Sequence, residues 1–150
     1  MRDRGFLARE PRKMKILVLE DDENRIAKFR RELVGHNVDV STTSADAIAR
    51  LQANHYELAF FDHDLGGTTM APSDGEDDTG YKVAKYLYKS DISQCPKHII
   101  VHSLNMHGAE NIRGLLNHAV CIPFIRLDIA GAADRIANFI NRHENGQEGR

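Results

Sequence analysis

The feature that most constrains this chain is a regular alternation between two hydrophobic periods. Five short runs have the length and aliphatic or aromatic content of strands: Met14–Leu19, Val38–Thr42, Glu57–Asp62, Lys97–His102 and Ala119–Ile122. Between and after them lie stretches whose apolar residues recur every three or four positions. These are Asn24–Val34, Ala45–Ala53, Tyr81–Tyr88, Gly108–His118 and Ala132–Asn141. Gly35 follows the first helical stretch as a C-cap, Ser44 precedes the second as an N-cap, and Pro123 closes the fifth strand run. Such an order belongs to crossover connections rather than hairpins. Crossovers set strands parallel and cover both sheet faces with helices. Right-handed crossovers then predict a single α/β domain: a doubly wound, five-stranded parallel sheet, flavodoxin-like, in a three-layer sandwich.

The 150 residues suffice for one domain with one sizeable core. The expected division is a basic arm over 1–13, a domain over 14–142 and a polar tail over 143–150, frayed from Glu144 onward. A formal net charge of −2 argues against double-stranded DNA or an anionic membrane as partner. Arg2, Arg4, Arg9, Arg12 and Lys13 nevertheless make the arm basic, either as a solvated leader or as an attractor of phosphate. No apolar run approaches the roughly 20 residues of a membrane span, and the start lacks the long apolar segment of a secretory signal. Cys95 and Cys121 form neither a CxxC pair nor a zinc spacing. Buried, reduced thiols in a cytoplasmic protein are expected.

In sheets of this kind, ligands bind beyond the carboxyl ends of the strands, where the strand order reverses. Two predicted strand ends meet there. One runs into Glu20-Asp21-Asp22-Glu23; the other, LAFFDHDLGG, ends in Asp62, His63, Asp64 and two glycines. Carboxylates so crowded share protons or hold a cation. An oxygen-rich set suits Mg²⁺ or Mn²⁺, and Mg²⁺ commonly bridges to phosphate. Glu20, Asp21 and Asp62 are the expected ligands, with Asp22 and Asp64 as second choices. The competing view makes Asp22 and Glu23 helix N-terminal charges. The fourth strand end, HSLNMH, adds Ser103 and Asn105 as hydrogen-bonding groups for a phosphoryl oxygen, and His102 and His107 as acid–base groups. Of eight histidines, His63 and His102 converge on the predicted crevice. His36, His55, His98, His118 and His143 are expected to be surface or packing residues. The segment 66–80 exceeds the usual βα connection. With Gly66 and Gly67 at its start and Asp74, Glu76, Asp77 and Asp78 further on, it is expected to serve as a lid.

From Met14 to Asn141 the chain resembles a receiver domain, the phosphoacceptor module of bacterial response regulators. Glu20 and Asp21 match that family's acidic pair, Asp62 its phosphoacceptor, and Asp78-Thr-Gly80 the step opening its third helix. Ser103 matches the switch serine or threonine, and Ile122-Pro-Phe124 its Lys-Pro-Phe motif. The lysine is replaced by Ile122, with Arg126 the closest cation in sequence. FDHDLGG at 61–67, and VHSLN at 101–105 with GAEN at 108–111, resemble a divergent receiver branch. That resemblance implies processing of cyclic phosphates of RNA ends or nucleotides. Asp62, His63, Asp64, His102, Ser103 and Asn105 would form the reacting site, a metal-dependent phosphoesterase. Its substrate would be a phosphate-containing small molecule or an RNA end. The alternatives are a non-catalytic receiver that binds a protein partner, or a stand-alone phosphoacceptor that works without the lysine.

Overall fold

The computed structural model describes residues 12–65 and 79–148. Strands β1 (Lys15–Leu19), β2 (Asn37–Ser41), β3 (Leu58–Phe61), β4 (His98–Val101) and β5 (Val120–Cys121) alternate with five helices. The helices are α1 (Glu23–Glu32), α2 (Ser44–Ala53), α3 (Gly80–Lys89), α4 (Met106–Leu115) and α5 (Ile129–Glu148). The strand order is β2-β1-β3-β4-β5, and every pairing is parallel. This is the doubly wound, flavodoxin-like sheet that the alternation predicts.

Successive strand side chains point to opposite faces, and here both faces are covered. Leu17, Leu19, Ala59, Phe61 and Val101 pack with Leu51 of α2, Val83 of α3 and Ile112 of α4. Ile16, Val18, Phe60 and Ile100 pack with Phe29 of α1 and Ala133 and Ala137 of α5. Burial on both faces explains why the central strands read as unbroken apolar runs. The register places Leu19 beside Phe61, Phe61 beside Val101, and Val101 beside Cys121. The four strands therefore end abreast, and whatever follows each one is presented on a common edge.

Several boundaries differ from the sequence expectation, each for a local reason. Thr43, not Ser44, caps α2: its hydroxyl accepts from the Asp46 N–H at 3.1 Å, and Ser44 is the first helical residue. Helix α4 starts two residues early because Asn105 caps it. Helix α5 starts at Ile129, where the Asp128 carboxylate accepts from the Gly131 N–H at 3.0 Å. It also runs through the tail expected to fray, where Glu144 accepts from Arg12 at 2.9 Å. Cys95 and Cys121 are free but half-buried rather than buried, and burial raises both thiol pKa values. No helix among the described residues is long and apolar enough to cross a membrane. The basic arm up to residue 11 lies outside the described residues.

Candidate functional site

The common edge gathers three side chains on the face covered by α1 and α5. Ladder bonds continue one residue past the strands: Asp62 N–H donates to Leu19 O at 3.0 Å and His102 N–H to Phe61 O at 2.9 Å. Glu20, Asp62 and His102 thus share the parity of Val18, Phe60 and Ile100, and all three are buried. One donor atom from each lies within 4.8 Å of the others. His102 Nε2 stands 2.8 Å from Glu20 Oε1, while Glu20 Oε2 accepts from the backbone N–H groups of Asp21 and Asp22 at 3.1 and 3.0 Å. Asp62 Oδ1 accepts from the His63 N–H at 2.8 Å. Burial pushes the Asp62 carboxyl up to about 6, and Glu20's charge adds to the rise. His102, Arg25 and a hydrogen bond from Ser103 oppose it. The His102 ring packs between Phe29 and Phe124, with centroids at 5.1 and 6.0 Å, and its Nδ1 is buried without a hydrogen-bond partner.

His63 lies one residue further and so faces the opposite side, toward α4. Its Nδ1 is 2.7 Å from Asp64 Oδ1, and the Asn105 amide donates to the same oxygen at 3.2 Å. Asn105 also accepts from the Gly108 N–H at 2.9 Å, capping α4, while its own N–H donates to Ser103 Oγ at 3.0 Å. One residue therefore fixes the start of a helix, an imidazole and a hydroxyl. Gly108 makes room for the ring: a Cβ there would lie 2.4 Å from His63 Cγ. His63 Nε2 is buried and unpartnered.

The two histidines are built alike on opposite faces of the sheet. Each turns one nitrogen to a carboxylate, which can only accept, so that nitrogen carries the proton in the neutral ring. Each keeps a second, unpartnered nitrogen with a lone pair. A buried polar atom without a partner is costly. Each of these two nitrogens, at adjacent strand ends, is chemically able to accept a proton or a hydrogen bond.

The remaining candidates fall around this centre. Asp21 is half-buried beside the trio without being one of its three members. Asp22 caps α1, its carboxylate accepting from the Arg25 N–H at 3.0 Å. Asp64 stands with His63 rather than with Glu20. His107 is exposed on the first turn of α4. His36 accepts from the Met14 N–H at 3.0 Å, and His118 and His143 bond to backbone carbonyls, as packing residues do. Ile122 joins the core of the α1–α5 face, and Arg126 is exposed. Gly66, Gly67, Asp74, Glu76, Asp77 and Asp78 lie outside the described residues. Their flanks meet beside His63: Asp64 bridges Thr79, and Gly80 N–H donates to His63 O at 2.8 Å.

Two contributors escaped the sequence reading. Gly108 stands in the GAEN stretch, where only contact with His63 gives it meaning. Arg25 reaches from α1 to within 3.8 Å of Glu20 Oε1 and 4.0 Å of Asp62 Oδ2. Its one sequence signal is a position three residues after the Asp22 cap.

A family model described as the cyclic-phosphate processing receiver domain matches residues 15–118. The chain belongs to that family. No curated protein sequence matches this receiver. Its fold recurs in solved structures. It is 20% identical to a sensor protein from Polaromonas sp., with a TM-score of 0.62 over 88% of this chain and 98% of the other. The response regulator TrrA from Thermotoga maritima is 19% identical, with a TM-score of 0.59 over 83% and 99%. A CheY-like receiver domain from Methylobacillus flagellatus is 18% identical, with a TM-score of 0.57 over 79% and 92%. At these identities the likeness concerns the fold.

Proposed function

We propose that this receiver is a metal-dependent phosphoesterase that opens cyclic phosphates, carried on RNA ends or on nucleotides. The observation that carries the reading is the convergence of Glu20, Asp62 and His102 at one buried strand edge, with a second buried histidine, His63, at the same edge on the opposite face of the sheet. The donor set fits a divalent cation. Two carboxylates and an imidazole offer ligand atoms within 4.8 Å of one another, and burial, with a smaller push from Glu20's charge, raises Asp62 to about 6, so an ion there would favour the ionised carboxylates. The oxygens suit Mg²⁺ or Mn²⁺, and the imidazole favours the second. The solved TrrA structure is a complex with Mg²⁺ and BeF, so a protein of this fold takes up a cation together with an anionic ligand, which supports the reading. Such an ion supplies Lewis acidity toward a phosphoryl oxygen.

The chain's own residues do the rest. Glu20 holds the His102 ring through its 2.8 Å contact. Asp64 and Asn105 fix the tautomer and orientation of His63. His63 Nε2 takes a proton from the attacking water as oxygen adds to phosphorus. It returns the proton to the leaving ring oxygen as that P–O bond breaks, leaving a phosphomonoester. Ser103 Oγ accepts from Asn105, so its own hydrogen turns toward Asp62 or a non-bridging oxygen.

The test is incubation with Mg²⁺ or Mn²⁺ and RNA ending in a 2′,3′-cyclic phosphate, then with cyclic nucleotides, following phosphomonoester formation. We expect turnover on one of these substrates. At least one of His63→Ala and His102→Ala should lower it about a hundredfold, the usual scale of lost acid–base help. Absence of turnover on every substrate would favour a second reading, in which the domain binds a protein. Leu104, Met106, Val120 and Ile125 are exposed large apolar residues in and around the segments flanking α4 and β5, and support that reading.

A further inference from the structure

We infer that Arg25 competes with the divalent ion for Glu20 and Asp62 and, once displaced, grips the phosphate of the substrate, an inference that rests on the metal reading above. Arg25 occupies the first turn of α1, its backbone anchored by the Asp22 cap at 3.0 Å. Its position beside the edge of β1 is therefore fixed, while its long side chain is not. Nη1 lies 3.8 Å from Glu20 and 4.0 Å from Asp62. Both separations exceed a hydrogen bond. A guanidinium built for structure engages a carboxylate with two parallel bonds; this one is shared between two carboxylates and committed to neither.

The guanidinium lies over the Phe124 ring, with Cζ 5.0 Å from the ring centroid. A cation–π contact of this kind holds the charge against the ring face without fixing the directions of its N–H groups. Arg25 is also the most exposed of the four charged or titratable groups gathered here. The Glu20 side chain is 1% exposed, that of Asp62 6% and that of His102 0%, whereas Arg25 is 24% exposed. Arg25 thus stands on the solvent side of the trio. An ion that reaches the trio takes the attraction that now holds Arg25 and adds a repulsion of its own. The displaced guanidinium keeps its contact with Phe124 and has five donors to offer, a fork suited to phosphate. Lys28, with Nζ 5.4 Å from the same ring and 4.0 Å from Glu32 Oε2, is a second cation against Phe124.

The experiment measures Mg²⁺ binding alone, and then inorganic phosphate binding with and without saturating Mg²⁺, by calorimetry on wild type, Arg25→Gln and Arg25→Lys. Circular dichroism confirms the fold of each. Wild type should bind phosphate only when Mg²⁺ is present. Arg25→Gln should bind Mg²⁺ at least about threefold more tightly, having lost a competing charge, yet bind phosphate at least about tenfold more weakly. Arg25→Lys keeps the charge and loses the fork, so its Mg²⁺ affinity should stay near wild type while phosphate binding falls. A folded Arg25→Gln that binds Mg²⁺ no better, or phosphate as well as wild type, would overturn the inference alone. Wild type that binds no Mg²⁺ would overturn the metal reading and the inference together.

Discussion

The two ends of the sheet treat charge in opposite ways. At the amino ends of the strands, charged groups are matched. Arg12 bonds Glu57 and Glu144, and Lys15 Nζ donates to Asn54 at 2.6 Å. Tyr56 donates to Asp39 at 2.6 Å, and burial, with Asp39, raises its pKa. At the carboxyl ends, Glu20, Asp62 and two histidines are buried deeper but matched less well, with two ring nitrogens lacking partners and the Arg25 guanidinium only within 4 Å. A cleft of about 480 Å³ lies at the amino end, lined by Tyr56, His98 and Phe139 among others. Unbalanced buried charge distinguishes the carboxyl end from the amino end.

The largest expected effect removes that imbalance. Asp62→Asn should abolish metal-dependent stabilisation and reduce turnover about a thousandfold or more, as loss of a metal ligand and of charge at the reacting centre implies. The same change should stabilise the metal-free protein at neutral pH. Burial holds the Asp62 carboxyl up at about 6 in the folded protein, against 3.8 for an exposed aspartate. Between those values the native state holds the extra proton, so stability falls as pH rises from about 4 to 6 and stays low above. The difference between wild type and Asp62→Asn, measured by urea unfolding in EDTA, should grow over that window to at most about 3 kcal/mol. A difference that shrinks with rising pH would show that the carboxyl end is balanced after all.

Helix α4 runs from one end to the other and carries a glycine near each. Gly108 touches the His63 ring, where a Cβ would come within 2.4 Å; Gly114 has nothing within 4 Å of such a Cβ. Gly108→Ala should cost about 1–3 kcal/mol by overpacking and lower turnover by shifting His63. Gly114→Ala should gain roughly 0.5–1 kcal/mol, the ordinary preference of a helix for alanine, with turnover unchanged. Thermal unfolding of both variants checks the pair. Equal effects would mean that the start of α4 is not built around the imidazole.

How much of this was legible in the chain differs between the ends as well. The sheet order was readable because strands buried on both faces, such as Leu58–Phe61, show as unbroken apolar runs between helical periods. Glu20 and Asp62 were readable because a strand that ends in acid can only present it at the edge. The 2.8 Å contact between Glu20 and His102 was not, since β3 lies between their strands and the register across three strands is written in no local pattern. Arg25 depends on the rotational phase of α1, which its cap at Asp22 sets to within a residue. The start of α5 was missed because Asp128 stands outside the apolar period that betrays the helix.

The smallest effect belongs to the well-matched end. Arg12 ties Glu57, just before β3, to Glu144 near the close of α5, and its side chain is 28% exposed. Partly exposed ion pairs gain little over their solvated parts and lose more in salt. Arg12→Ala should therefore cost no more than about 1 kcal/mol, less at high ionic strength, and leave Mg²⁺ binding and turnover at wild-type values. Both ends belong to one sheet, so a general loosening would reach the carboxyl edge through β3. If Arg12→Ala lowers turnover in proportion to stability, the two ends are coupled through that strand. If stability alone moves, Glu20, Asp62 and the histidines owe their geometry to the strand ends and helix caps immediately around them.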